Sequence, residues 1–364
     1  MKIVMVLGRS TGGIAGHVAA LSAFLRDRGH DIVVVTHPLT AQRSDLDPVR
    51  LWWPGSAGPV GSIRDLGRFR RLASTSDVAH AHGLRAGALV VLAVRSLSRE
   101  RRPRVVVTLH NAPVGGRALR TFSSGLEKVV ARGADVVLGV SGDLVERARA
   151  LGANQTARAL VPAPSWVPTR RTAAQVRESL GVPDGAALLI TVARLAAQKG
   201  LETLCDTSLL LKARLDAGDL AEFTGLTWVV AGDGPLQAYL AGRIETDGLP
   251  VVALGRRDDV PELLAAADLV ISTAVWEGQP IWLQEAMQLG AAIVATDVGG
   301  TSEVTGGGAS LVAAGDPPIM AGRIVDLLND RPRRLALAEA ALERAHELPT
   351  IADAVAQLMR AYTG

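Results

Sequence analysis

Cysteine is nearly missing from this chain: Cys205 stands alone among 364 residues. One thiol excludes an intramolecular disulfide and any multi-cysteine metal site. Aromatic residues make up only 3% and no nucleic-acid module is recognisable, so no nucleic-acid partner is expected. No uninterrupted apolar run reaches the ~18–20 residues that a membrane-crossing helix needs. The opening stretch, Met1 to Gly8, is too short for the apolar region of a signal peptide and runs into a glycine-rich turn. It reads as a first strand, and a cytoplasmic location is expected, with peripheral contact at the inner face of the membrane as an option.

What is present describes a globular protein, 48% hydrophobic and 21% charged. The length exceeds one ordinary core, so two domains are expected. The net charge is only +3, yet it is lopsided. Residues 1–165 carry 23 Lys and Arg against 11 Asp and Glu, and residues 166–364 carry 16 against 25. A basic half beside an acidic half suits an anionic substrate or surface facing the first half, or an arginine-rich composition that merely solvates helices.

Hydrophobic patterning predicts an α/β protein. In the first half, β-branched runs at 3–7, 31–36, 77–82, 104–109 and 135–140 alternate with helical stretches, one of them running from His17 to Arg28 before Gly29. A proline-rich break from Val161 to Pro168 reads as a linker. The rhythm then restarts, with strands near 187–192, 227–231, 251–254, 267–272 and 291–296. Two tandem Rossmann-like, doubly wound domains follow, 1–165 and 166–348, with the last helix (349–364) packing back on the first and a cleft between the carboxyl edges of their sheets.

The most informative segment lies late in the chain. Glu277 sits in the turn Glu277-Gly278-Gln279-Pro280, and Glu285 follows about two helical turns on, within the apolar-periodic run from Ile281. Acids at the turn and in the helix of a strand–turn–helix–strand unit suit a ligand with two hydroxyl-bearing parts, such as a sugar nucleotide. Gly12-Gly13 follows the first strand and precedes a helix, where backbone N–H groups can approach a phosphate. Arg194 and Lys199 follow the first strand of the second domain, where two cations can neutralise a leaving diphosphate or simply sit in water. His110 ends a strand, at a position that faces the cleft. His17, His80 and His82 read as packing or edge residues without a supporting feature. Asp45-Leu46-Asp47 matches an Asp-x-Asp metal motif, but its Pro/Arg-rich setting is not a strand end. The basic stretches Arg64–Leu72 and Arg117–Arg132 suit ordinary amphipathic helices or a membrane-surface helix.

In this order the pieces resemble the family 4 glycosyltransferases, retaining enzymes of the two-Rossmann GT-B fold. The resemblance is carried by GGIAGHV (Gly12 to Val18), DVAHAHG (Asp77 to Gly83), VVVTLHN (Val105 to Asn111), VVLGVSGDL (Val136 to Leu144) and VARLAAQKG (Val192 to Gly200). It continues through VVAGDGPL (Val229 to Leu236), LGRRDDVPELLAAAD (Leu254 to Asp268), the Glu277/Glu285 segment and VGGTSEV (Val298 to Val304). The resemblance implies a hexosyl or N-acetylhexosaminyl transfer from a nucleoside-diphosphate sugar to a saccharide or lipid-linked acceptor, without a metal or other cofactor. It implies donor contacts at Gly12, Gly13, Arg194, Lys199, Arg256, Glu277, Gly278, Gln279, Pro280, Ile281 and Glu285. The catalytic group it implies is His110, Arg194, Lys199 and Glu277, with Glu303 in a supporting place. Three departures stand out: PAPSWVPTRR (Pro162 to Arg171) at the domain junction, Asn111 in place of a common aspartate, and Ala291-Ala292. Other classes remain open. A nicotinamide oxidoreductase would need the fuller G-x-G-x-x-G loop, which Arg9 to Gly13 lacks, and a silent sugar-nucleotide binder would bind donor without turnover.

Overall fold

The computed structural model describes residues 1–10, 12–41, 46, 49–51, 58–112, 117–164 and 169–364, and of 49–51, 58–64 and 117–122 the backbone alone. Asp45, Asp47 and residues 165–168 of the expected linker lie outside the described residues. The chain divides into two compact units, Met1–Pro162 with Pro349–Gly364, and Ala163–Leu348. The division falls three residues before the expected 165/166.

Among the described residues the first unit holds seven parallel strands: β1 (Lys2–Leu7), β2 (Asp31–Thr36), β3 (Val49–Leu51), β4 (Val78–His82), β5 (Arg104–Leu109), β6 (Val136–Gly139) and β7 (Thr156–Arg158). Their order is β3-β2-β1-β4-β5-β6-β7. Strand β1 and the middle of β5 are apolar at successive positions rather than alternating, as in Ile3 to Leu7 and Val105 to Val107, all buried, whereas the central β4 carries the buried His80 and His82. The chain winds outward from β1 to β3, then returns to lay β4 on the other side of β1. The loops after β1 and β4 therefore diverge and open a crevice at the carboxyl ends.

The second unit repeats the plan with β8 (Ala186–Val192), β9 (Gly225–Ala231), β10 (Val251–Gly255), β11 (Leu269–Ser272), β12 (Ile293–Thr296) and β13 (Ser310–Val312), in the order β10-β9-β8-β11-β12-β13. Alternate side chains feed two cores. Leu189, Trp228 and Ile271 point into one, and Leu188, Ile190 and Val270 into the other. The winding reverses between β8 and β11, which places the second crevice there.

Several elements differ from the sequence expectation. The first helix spans Gly13–Arg26, beginning four residues before His17, because Gly12, Gly13 and Gly16 dilute the apolar period that marks a helix start. Strands β3, β7 and β13 are three residues each, too short for a period to register. The tail breaks before Pro349, where Leu348 is extended as a residue preceding proline must be. A Thr350/Asp353 capping box then starts the helix Ile351–Thr363. This helix is fastened to the first unit: Gln357 accepts from Leu160 N–H (3.0 Å) and donates to the Arg158 carbonyl (2.8 Å), and Arg104 donates to the Ala361 carbonyl (2.6 Å). The two basic stretches form the helices Gly58–Ala73 and Arg117–Gly133, which bury Phe69 and Ala73, and Val130 and Ala131. Among the described residues no helix is long and apolar enough to cross a membrane.

Candidate functional site

In the second unit the loops after β8 and β11 leave neighbouring parallel strands at the point where the winding reverses. They are 74 to 78 residues apart in sequence and are tied by one backbone–backbone and two side-chain–backbone hydrogen bonds. Val275 N–H donates to the Gln198 carbonyl (2.9 Å), Gln198 Nε2 to the Trp276 carbonyl (3.0 Å), and Thr273 Oγ1 to the Lys199 carbonyl (3.0 Å). Gly200, at φ 62°, permits this approach: a Cβ there would lie 1.9 Å from the Thr273 carbonyl oxygen. The loop after β12 closes on the same place. Gly300 N–H donates to the Glu277 carbonyl (3.0 Å), and a Cβ on Gly299 (φ 54°) would lie 2.0 Å from that oxygen. The loop after β12 thus holds the Glu277 carbonyl, and the loop after β8 holds Val275 and Trp276 just before it.

The side chains carry complementary charge. Lys199 Nζ forms an ion pair with Glu277, whose residue is only 5% exposed. The sequence assigned these two residues to different parts of a ligand, and the folded chain pairs them with each other. Pairing is what makes a buried carboxylate tolerable, since an isolated one would lose its hydration without return. Arg194 is exposed and has no carboxylate partner among the described residues. Arg256 is also exposed and only loosely faces Asp258, at 3.9 Å. Its neighbour Arg257 is fixed to Asp259 (2.6 Å), which also pairs with Arg171, holding the loop after β10.

Glu285 lies on the helix Ile281–Gln288, which starts directly from the Glu277 turn. Partial burial pushes its carboxyl up to about 7, and among the described residues no hydrogen bond or ion pair holds its side chain. The helix begins after Gly278-Gln279-Pro280, and its N-cap, Pro280, offers no side-chain acceptor to the first N–H groups. Glu303 lies in the first turn of the helix Thr301–Thr305, where its backbone carbonyl accepts from Arg344 (3.0 Å).

In the first unit, Gly12 is the N-cap of the helix Gly13–Arg26, at φ −138°. A Cβ there would meet nothing within 4 Å. Neither the backbone angle nor the packing of the chain demands glycine at this exposed helix start.

The structure also gathers four histidines that the sequence reading left apart. His80 and His82 lie on one face of β4 as i and i+2, and β4 registers His82 against Thr108 of β5, two residues before His110. His82 Nδ1 lies 3.1 Å from His110 Nε2, with the rings stacked at 5.4 Å. His80 is held at both nitrogens, by the Tyr362 hydroxyl (2.7 Å) and Thr108 Oγ1 (2.8 Å). His17, from the first helix, stands edge-on to His82 and His110 at 6.4 and 6.1 Å. Burial lowers all four, His17 to about 4 and His80 to about 3, and the neighbouring imidazoles lower His80, His82 and His110 further. The His-x-His spacing was the available signal, since period 2 puts both rings on one strand face. What the sequence lacked was the register that brings His110 alongside.

Two family models match the chain in succession, "Glycosyl transferase 4-like domain" over residues 12–164 and "Glycosyl transferases group 1" over residues 186–330. The lipopolysaccharide core biosynthesis mannosyltransferase LpsB of Rhizobium meliloti (strain 1021) is 30% identical over 182 residues, 47% of this chain and 49% of that protein. The match thus spans about half the length of that relative. The N-acetyl-alpha-D-glucosaminyl L-malate synthase of Bacillus anthracis is 24% identical over 367 residues, 95% of this chain and 92% of that protein. Among solved structures, Anabaena HepE in complex with UDP and glucose has a TM-score of 0.82 at 21% identity, covering 100% of this chain and 99% of that one. With both models matched in order across the two units and the two-Rossmann GT-B fold shared end to end, the chain belongs to the family 4-type, group 1 glycosyltransferases and is a transferase.

Proposed function

We propose that this chain is a retaining glycosyltransferase. It moves a hexosyl or N-acetylhexosaminyl group from a nucleoside-diphosphate sugar to an acceptor hydroxyl in the synthesis of a cell-envelope glycan, glycolipid or glycoconjugate. One observation carries the reading. The loops after β8 and β11 of the second unit and the helix that follows carry, among the described residues, an unpaired cation (Arg194), a lysine–glutamate pair (Lys199 and Glu277) and an unpartnered, desolvated acid (Glu285). A diphosphate flanked by two sets of hydroxyls matches that sequence of charges.

In this reading Glu285 accepts hydrogen bonds from the ribose hydroxyls and Glu277 from the transferred sugar. Gly278 to Ile281 offer backbone N–H groups, and Arg256 stands at the rim of the donor site. Gly12 and Gly13 leave the first N–H groups of the first helix open to a phosphate of the substrate. His110 meets a substrate hydroxyl. Arg194 and Lys199 stabilise the charge that grows on the departing diphosphate, a task metals perform in other transferases, so no metal is required. The acceptor oxygen attacks the anomeric carbon on the face from which the diphosphate leaves. The new C–O bond forms as the bond to phosphate breaks, and the acceptor proton passes to a phosphate oxygen. The enzyme's groups position and neutralise rather than form a covalent intermediate.

UDP-sugars are the first donors to test, because HepE was crystallised with UDP and glucose. For the acceptor, similarity to LpsB favours a cell-envelope saccharide, and the basic first half suits an anionic, peripheral membrane surface. A soluble small acceptor is the second reading, favoured by the near full-length similarity to the L-malate synthase. A thermal-shift panel of UDP-, GDP- and ADP-sugars, followed by donor-hydrolysis and transfer assays, tests the assignment. Arg194→Ala should lower kcat roughly 10²- to 10³-fold. Donor binding with no hydrolysis or transfer across an acceptor panel would instead indicate a silent binder, and near-normal Arg194→Ala turnover would remove the diphosphate role.

A further inference from the structure

We propose that His82 is a positioning residue that holds His110 as the Nδ1–H tautomer, so that His110 meets its substrate hydroxyl as a neutral hydrogen-bond donor and not as a base. The inference rests on the reading of His110 as a substrate contact. His82 Nδ1 and His110 Nε2, 3.1 Å apart, share one proton. Burial and the surrounding imidazoles hold both rings neutral, so each carries a single N–H. Two arrangements exist. If His110 donated, the proton of His82 would sit on its Nε2, which is buried and meets no protein group among the described residues. If His82 donates, that nitrogen is a bare lone pair. Buried orphaned donors are rarer than under-satisfied acceptors, and leaving one unmade costs its full desolvation. The second arrangement therefore prevails, and the proton of His110 must lie on Nδ1.

The geometry explains why His82 keeps its orientation. Its ring lies 4.2 Å from that of His80, which is pinned at both nitrogens by Tyr362 and Thr108. Tyr362 belongs to the terminal helix Ile351–Thr363, so that helix fixes the ring on which His82 rests. Among the described residues, the titratable groups around His110 are His17 from the first helix and His80 and His82 from β4, with Tyr362 behind His80. None of them is a carboxylate that could accept a proton from His110.

Nitrogen-15 NMR of the histidine-labelled full chain, using long-range correlations between ring protons and ring nitrogens, reads the tautomer directly. The expected result is protonated Nδ1 on both His82 and His110, and a protonated Nε2 on His110 would overturn the proposal. His82→Asn keeps an N–H at the place of Nδ1 and should stay within a few-fold of the parent kcat. His82→Leu removes the donor and should lower kcat roughly tenfold or more at unchanged donor KM, with a new acidic limb in the kcat–pH profile. Equal impairment of Asn and Leu variants without that limb would also overturn it. Should these variants fail to fold, the parent spectrum still decides. Parent-like turnover by His110→Ala would remove the role of His110 itself, and the positioning role with it, whatever the spectrum shows.

Discussion

Replacing Glu285 by glutamine should stabilise the ligand-free protein while weakening its hold on the nucleotide, and the two effects share one cause. Partial burial without a partner raises the folded-state carboxyl from 4.5 to about 7. A group whose folded value lies above its unfolded value binds more protons when folded. Its cost is therefore absent below pH 4.5, grows through the interval and is complete above about 7. A carboxyl raised from 4.5 to about 7 makes that cost about 3 kcal/mol. Glu285→Gln keeps the shape and removes the ionisation. Parent and variant should be equally stable near pH 4.5. By pH 8 the variant should be ahead by about 3 kcal/mol, or roughly 6–12 °C in Tm for a unit of this size. Calorimetric or denaturant unfolding across pH 4.5–8.5 measures the difference, and parallel profiles for the two proteins would refute the reasoning. Ligation gives a second arm. Ribose hydroxyls donate to the carboxylate form, so nucleotide affinity should fall up to tenfold per pH unit below about 7 and binding should release a proton. Titration calorimetry in buffers of different ionisation enthalpy detects that proton, which Glu285→Gln should lack.

Lys199→Met leaves Glu277 buried without its partner and should destabilise the second unit by about 3 kcal/mol, while Lys199→Met/Glu277→Gln recovers most of the loss; a double variant no more stable than the single would refute the pairing energy. Gly299→Ala places a Cβ on the Glu277 carbonyl at a left-handed φ, and should cost roughly 1–3 kcal/mol by thermal unfolding and displace the turn, seen as a loss of donor-induced thermal shift. The depressed histidines act opposite to Glu285. They are neutral in both states above pH 6.5, so the first unit should lose stability as pH falls from 6.5 toward 4, about 3 kcal/mol for His17 alone. His17→Gln should flatten that acid limb, as followed by denaturant unfolding.

Much of this molecule could be read from local chemistry. The strands Asp31–Thr36, Arg104–Leu109 and Leu269–Ser272 announce themselves because a parallel strand covered on both faces reads as a near-continuous apolar run rich in β-branched residues, and such a run needs no tertiary information. Gly12, Arg194, Lys199 and Glu277 stood out as candidates for a related reason, since polar groups and glycines at strand ends are exceptions to the pattern around them, and Glu285 stood out as an acid in an apolar helix. The short strands β3, β7 and β13 were not, since three residues carry no period and their place is set by neighbours in the sheet.

What only the tertiary structure decided is which of these groups meet. Lys199 and Glu277 are 78 residues apart, and the sequence offered each a ligand, not one another. The reversal of winding between β8 and β11 puts their loops side by side, and burial then makes the pair preferable to two separate charges. The same holds for His80 and His82, which the sequence left as packing residues, and for His110, which it singled out alone, until the β4–β5 register aligned them and the terminal helix set Tyr362 against the first. Residue type and spacing determined the fold class and the kind of chemistry available. Register and winding order, which depend on contacts between distant segments, determined the partners and so the protonation states with which that chemistry is done.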